Sequence, residues 1–301
     1  MEILPVKAKG YCLGVVRAIQ IAKQTALDYP QKRITVLGML VHNQYVVDAC
    51  ERLNIHYIED KTKSRLQLLE EIDTDIVIFT AHGVSDKVKQ KADELGLMVI
   101  DATCPDVKQT YDLVKNHQNI GDVIYIGKKN HPESEGIISS FHHISFVSCK
   151  KDIEQLKDLH NVLITTQTTL SIRDTKELIN LCLKRFPDAK VAEEICNATR
   201  IRQEAILELE NIDTLIIVGD IHSNNTNQLA NLGRQNNIEH VYLIDSVLSL
   251  KEEMVKNAKR IAISSGSSTP NSLTQQVIHF LEEYAQTNIW KEVKEADIKL
   301  L

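Results

Sequence analysis

Short β-rich runs alternate with amphipathic helical patterns along the whole chain, and this alternation restricts the fold more than any other feature. The runs at 34–38, 75–80, 98–102, 122–127, 162–166, 214–219, 240–244 and 260–264 are dominated by Ile, Val and Leu. Between them lie segments such as 85–95, 171–186 and 272–284, where apolar residues recur at helical spacing. Strands separated by helices pair in parallel, so the expected fold class is α/β with mostly parallel sheets. No low-complexity stretch or Pro/Gly/Ser-rich linker interrupts the pattern, so domains should pack tightly rather than hang on tethers.

A chain of 301 residues is long enough for two or three small domains with their own cores. The net charge of −6 argues against a general affinity for nucleic acid or an anionic membrane. An anionic ligand would have to be held by local donors against that field. No apolar stretch approaches the length of a membrane span, and the opening MEILPVKAKGYCLGV lacks the pattern of a signal peptide. The expected setting is cytoplasmic, where thiols stay reduced. The six cysteines are then candidates for catalysis, metal binding or core packing rather than disulfides.

Their spacing is informative. Cys104 lies 92 positions after Cys12, and Cys196 lies 92 positions after Cys104; each precedes a helical pattern. The simplest reading is three related α/β modules, each delivering one cysteine to a common centre. The modules are expected over 1–100, 101–193 and 194–287, with 288–301 as a tail. Pro105 suits a first helical position, so the Cys104 thiolate can sit at a helix N-terminus, where its pKa is lowered. Cys12 lies in Gly10-Tyr11-Cys12-Leu13-Gly14, whose glycines permit close backbone approach. Free cysteines otherwise behave as small buried hydrophobes. That reading is accepted for Cys50 and Cys182, which lie at helical spacing among apolar neighbours, and Cys149 is left undecided. For Cys12, Cys104 and Cys196 the positions favour ligation over packing, although no C-x-x-C pair is present.

In parallel α/β sheets, ligands gather at the carboxyl ends of strands. Those ends carry His42, His82, Cys104, His131, Glu133, Thr168, Ser223, Asn225 and Ser268. Imidazole, hydroxyl and amide donors suit an anion. Pro270-Asn271-Ser272 opens a helix whose first amides form a natural phosphate seat. Glu133 sits in the turn His131-Pro132-Glu133, two residues from a histidine, and can relay protons. Otherwise it is a solvated loop carboxylate; its neighbour Glu135 is given a structural or solvent role. Neither G-x-x-x-x-G-K-[ST] nor G-x-G-x-x-G occurs, so a redox enzyme of this kind would draw electrons from a protein partner.

Together these motifs resemble one family, the 4-hydroxy-3-methylbut-2-enyl diphosphate reductases of the non-mevalonate isoprenoid route. The resemblance is carried by Gly10–Val15, Val41-His42-Asn43, Ala81–Ser85, Asp101–Pro105, His131–Gly136, Thr166–Ser171, Ile195–Thr199 and Gly266–Pro270, in family order from residue 10 to about 285. It implies three α/β domains in pseudo-threefold arrangement around a central cleft. It implies one 4Fe–4S cluster held by Cys12, Cys104 and Cys196, with one iron open for the substrate hydroxyl. His42, His82, His131, Ser223, Asn224, Asn225 and Ser268 would bind the diphosphate, Thr168 would meet the hydroxyl, and Glu133 would supply protons. The implied products are isopentenyl and dimethylallyl diphosphate, with electrons from reduced ferredoxin or flavodoxin. One segment departs from the family pattern Asn-Ser-Ser-Asn-Ser-Asn: this chain has His222-Ser223-Asn224-Asn225-Thr226-Asn227. That places the role of Asn224 in doubt. The competing readings are a zinc hydrolase built on His42, His82 and His131, which lacks short-range ligand pairs, and an iron–sulfur sensor, which gives no reason for the anion donors.

Overall fold

The computed structural model describes residues 1–60, 62–192 and 195–294. The boundary expected at 193–194 and the second half of the expected tail lie outside them. The chain begins with β1 (Glu2–Pro5), α1 (Leu13–Asp28), β2 (Ile34–Leu37), α2 (Gln44–Glu51), β3 (Ile55–Ile58), α3 (Arg65–Glu70), β4 (Ile76–Phe79), α4 (Asp86–Glu94) and β5 (Met98–Asp101). It continues with α5 (Pro105–His117), β6 (Val123–Ile126), α6 (Pro132–Ser140), β7 (Ile144–Val147), α7 (Lys150–Glu154), β8 (Leu163–Thr166), α8 (Ile172–Arg185) and β9 (Lys190–Val191). The last stretch holds α9 (Asn197–Leu207), β10 (Thr214–Val218), α10 (Asn224–Gln235), β11 (His240–Ile244), β12 (Arg260–Ser265) and α11 (Asn271–Thr287). All eight expected strands are present within one residue at either end, and the three expected helices are α4, α8 and α11.

The described residues form three four-stranded sheets, β3-β2-β4-β5, β7-β6-β8-β9 and β11-β10-β12-β1, with every pairing parallel. The first two share one plan: the first and third strands are central, and the second and fourth form the edges. The third sheet follows the same plan once β1 is counted after β12, with Glu2 paired to Arg260 and Pro5 to Ile263. Each sheet therefore has a switch point between its first and third strands, where successive connections leave in opposite directions and open a crevice.

The chain divides into two compact units. One comprises Met1–Leu13, His42–Val46 and the chain from Asn197 onward, and contains the sheet β11-β10-β12-β1. Side chains of a strand alternate between faces. Ile216, Val218, Ile261 and Ile263 therefore pack with Leu273, Val277 and Leu281 of α11, whereas Leu215, Ile217 and Ala262 pack with Ile206, Leu229 and Leu232 of α9 and α10. The other unit, Gly14–Val41 and Val47–Cys196, holds the remaining two sheets. Its sheets repeat the logic: Ile124, Ile126 and Ile164 pack towards Ile179 and Cys182 of α8, and Val123, Tyr125 and Leu163 towards Val114 of α5 and Ile137 of α6. With both faces covered, central strands β4, β6, β8 and β10 are buried throughout. Among the described residues no helix is long and apolar enough to cross a membrane.

Candidate functional site

The crevice-forming strands are β2 and β4, β6 and β8, and β10 and β12. His42 lies in the loop after β2 and His82 after β4; His131 and Glu133 follow β6, and Thr168 follows β8. Ser223, Asn224 and Asn225 follow β10, and Ser268 follows β12. Every candidate anion or proton residue thus stands at the carboxyl end of a central strand. The three cysteines follow a different set: Cys12 comes after β1, Cys104 after β5 and Cys196 after β9, the fourth strand of each sheet. Each immediately precedes a helix, α1, α5 or α9.

One hydrogen bond is made three times. The Cys104 N–H donates to the Ala81 carbonyl at 2.9 Å, the Cys196 N–H to Thr168 at 3.2 Å, and the Cys12 N–H to Ser267 at 3.0 Å. Each acceptor stands two residues beyond the last residue of the third strand of its sheet, β4, β8 or β12. The backbone so fixes each cysteine beside the loop that carries His82, Thr168 or Ser268. All three side chains are half-exposed, with Cys104 at the N-cap of α5 and Pro105 at its first position. Cys50 and Cys182 are buried, and burial pushes both thiols up to about 11, as befits packing residues. Cys149 is exposed at the N-cap of the short helix α7, its N–H donating to the Asp152 carboxylate.

In the unit that contains β6 and β8, Glu133 is fully buried and Thr168 nearly so. One Glu133 oxygen accepts from the Thr168 N–H at 2.8 Å, and the other accepts from the Thr168 hydroxyl at 2.8 Å. Sequence brought out both residues, but not that they form this two-point pair. His131 caps α6: its Nδ1 accepts from the Glu133 N–H at 3.3 Å, which leaves Nε2–H as the donor of the neutral ring. Its ring stands edge-on to that of His82, with centroids 5.2 Å apart. Gln167 carried no assigned role, yet it is fully buried and central. Its carbonyl oxygen accepts from the Lys128 N–H and the Ser134 hydroxyl, and its amide donates to the Thr169 hydroxyl. It thereby joins the loop before Glu133 to the loop holding Thr168. An amide flanked by threonines gave no sequence signal for that. Glu135 accepts from the Arg65 N–H at the start of α3, and Asp106 lies 4.0 Å from the Cys104 sulfur.

In the other unit, Ser223 caps α10 by accepting from the Thr226 N–H. Asn224 and Asn225, in the first turn, are both buried. Neither amide atom of Asn225 has a hydrogen-bond partner, and the Thr226 hydroxyl has none. Stranding a buried amide in this way is costly. His222 is exposed, with its N–H donating to the Asp220 carboxylate at 2.7 Å. The Ser268 hydroxyl donates to the His42 carbonyl at 3.0 Å. Gly10 is held at φ +76°, and a Cβ there would fall 1.4 Å from the Asn271 side-chain oxygen, so the expected close approach occurs. The Arg202 guanidinium donates to the Gly10 carbonyl at 2.6 Å and to Ala198 at 2.7 Å, tying the Cys12 loop to the start of α9.

Known proteins resemble this chain along nearly its whole length. A family model described as LytB protein matches residues 3–282. A 4-hydroxy-3-methylbut-2-enyl diphosphate reductase of Anoxybacillus flavithermus is 42% identical over 306 residues, covering 99% of this chain and 96% of its own. That of Listeria monocytogenes is 42% identical over 306 residues, covering 99% and 92%. Among solved structures, the E-1-hydroxy-2-methyl-but-2-enyl-4-diphosphate reductase from Plasmodium falciparum superposes with a TM-score of 0.86 at 30% identity, covering 93% of this chain and 87% of that one. A second, the (E)-4-hydroxy-3-methyl-but-2-enyl diphosphate reductase described as the terminal enzyme of the non-mevalonate pathway, gives 0.65 at 30% identity, covering 94% and 100%. The family model spans nearly the whole chain and the relatives match it at full length, so this chain belongs to the LytB family of reductases.

Proposed function

We propose that this protein removes the hydroxyl of (E)-4-hydroxy-3-methylbut-2-enyl diphosphate by reduction, giving isopentenyl and dimethylallyl diphosphate, with Cys12, Cys104 and Cys196 holding one 4Fe–4S cluster. The observation that carries the reading is the cysteine bond made three times over, which presents one half-exposed thiol from each sheet. Thiolates are the usual ligands of such clusters, and the two cysteines burial renders inert stand elsewhere. When bound, the cluster would supply Lewis acidity and one-electron transfer. The reaction consumes two electrons and two protons: the hydroxyl leaves as water with one proton, and the other proton goes to carbon. Protonation at either end of the allyl unit accounts for two products. The electron donor would be a one-electron carrier, reduced ferredoxin or flavodoxin, in the cytoplasm.

The chain's own groups supply the rest. Once protonated, Glu133 gives its proton to the Thr168 hydroxyl, which turns from donor to acceptor towards it and passes its own proton to the departing oxygen. The Thr168 N–H holds the other Glu133 oxygen in place, so this relay within a buried site needs no diffusing water. The diphosphate is held by neutral donors: Asn225 through its stranded amide, His131 through Nε2–H, with His42, His82, Ser223 and Asn224 around it. Ser268 exchanges the His42 carbonyl for a phosphate oxygen. The start of α10 adds the positive end of a helix dipole. Holding the anion without lysines suits a net-negative protein, since specificity then rests on donor geometry rather than on charge.

The test is iron and sulfide content after anaerobic reconstitution of single Cys→Ser variants. Cys12→Ser, Cys104→Ser and Cys196→Ser should each lose the normal brown chromophore, while Cys50→Ser and Cys182→Ser keep it. A normal cluster in all five would overturn the ligand set.

A further inference from the structure

Tyr111 lies on α5, two turns beyond Cys104, and no motif singles it out. Its hydroxyl donates to the Val84 carbonyl at 3.2 Å, two residues after His82. The same oxygen occupies the space of the missing side chain of Gly136 on α6: a Cβ there would lie 1.9 Å from it. The Tyr111 ring meets Phe141, at the C-cap of α6, edge-on with centroids 5.8 Å apart. A second link runs alongside. The Ser140 hydroxyl donates to the Gly136 carbonyl at 2.7 Å and accepts from the Asp86 N–H at 3.1 Å, serving α4, whose own N-cap Ser85 makes no side-chain capping bond. Three segments thus converge on one phenol: the helix after Cys104, the loop after His82, and the helix that begins with His131 and Glu133. Burial, with the charge of Glu133 added, pushes the Tyr111 phenol up, so it remains a donor at any working pH.

We propose that Tyr111 is a positioning residue: its hydroxyl, locked between Val84 and Gly136, sets the seat of α6 and hence where Glu133 and His131 stand relative to His82 and Cys104. The proposal rests on the proton-donor reading of Glu133 only for the direction of its kinetic effect. Shifting a catalytic group by a fraction of an ångström to an ångström costs turnover out of proportion to stability. A methyl at Gly136 must push α6 away from Tyr111, or Tyr111 from its place. Removing the hydroxyl makes room, because the next nearest atom, the ring carbon that bore it, would lie 3.2 Å from the new Cβ.

The experiment is a cycle of Gly136→Ala, Tyr111→Phe and the double variant, assayed for kcat, KM and cluster absorption. Gly136→Ala should lower kcat on the order of 10-fold or more with the cluster spectrum unchanged. Tyr111→Phe alone should lower it only a few-fold, and the double variant should recover most of the loss. If Gly136→Ala proves insoluble, the double variant should be soluble and active. In a Glu133→Gln background, Gly136→Ala should add little, since the group it misplaces is already disabled. A double variant no better than Gly136→Ala, or a full additional loss in the Glu133→Gln background, would overturn the proposal. A fully active Glu133→Gln enzyme would instead remove the proton-donor reading, while rescue by Tyr111→Phe would still report on the seat of α6.

Discussion

At the scale of single residues, the account turns on a carboxyl group that is buried and doubly bonded to one threonine. Glu133→Gln keeps size and hydrogen bonding but removes the transferable proton. Turnover should fall by roughly 10²-fold or more with KM and cluster absorption little changed, the usual consequence of losing a general acid. Glu135→Gln should stay active, because that carboxylate bonds the Arg65 N–H. Steady-state kinetics under anaerobic conditions compare the two. The cysteines give a second residue-level expectation. Cys50 and Cys182 hold their protons up to about 11, whereas unfolded cysteine ionises near 8.5. Between those values the unfolded chain binds fewer protons than the folded one, so these thiols make stability fall as pH rises through that window. Denaturation midpoints taken across it should drop, and by less in Cys182→Ala. Sequence alone reached Glu133 because a proline turn beside a histidine is a local pattern. It did not reach Gln167 or Tyr111, whose roles exist only through partners far along the chain, Lys128 and Ser134 for one, Val84 and Gly136 for the other.

At the scale of elements, the same distinction separates the strands that could be read from those that could not. All six central strands announced themselves as apolar runs, because both their faces are covered. The strands outside the eight expected runs, β1, β3, β7 and β9, are all edges. β1 ends in a proline and is exposed at both ends, β3 buries only Ile55, and β9 has two exposed residues. These edges carry too little apolar signal to stand out, yet β1 and β9 lead directly to Cys12 and Cys196. The loop after β1 supplies a prediction. Gly10→Ala sets a methyl against Asn271 at a backbone angle L-residues avoid, which should cost about 1–3 kcal/mol or more. Denaturant titration should show that loss, and the reconstituted variant should hold less iron per chain than wild type.

At the scale of the whole molecule, the chain closes on itself: its first strand completes the sheet begun by its last three. The equal cysteine spacing hinted at repetition, but periodicity along a line could not reveal that one repeat borrows its fourth strand from the opposite terminus. Deleting residues 1–5 should therefore weaken a sheet 200 residues away. Hydrogen exchange should speed up in β12, which loses its partner, and then in β10, while β6 and β8 keep their protection. Uniform loss of protection would mean that the sheets do not unfold separately.

The most direct test of the central claim is anaerobic turnover. Reconstituted protein is given (E)-4-hydroxy-3-methylbut-2-enyl diphosphate and a one-electron reductant, and the C5 diphosphates are followed by mass spectrometry. The account predicts that isopentenyl and dimethylallyl diphosphate both appear at a rate proportional to cluster content. A fully loaded cluster that leaves the substrate unchanged would contradict it.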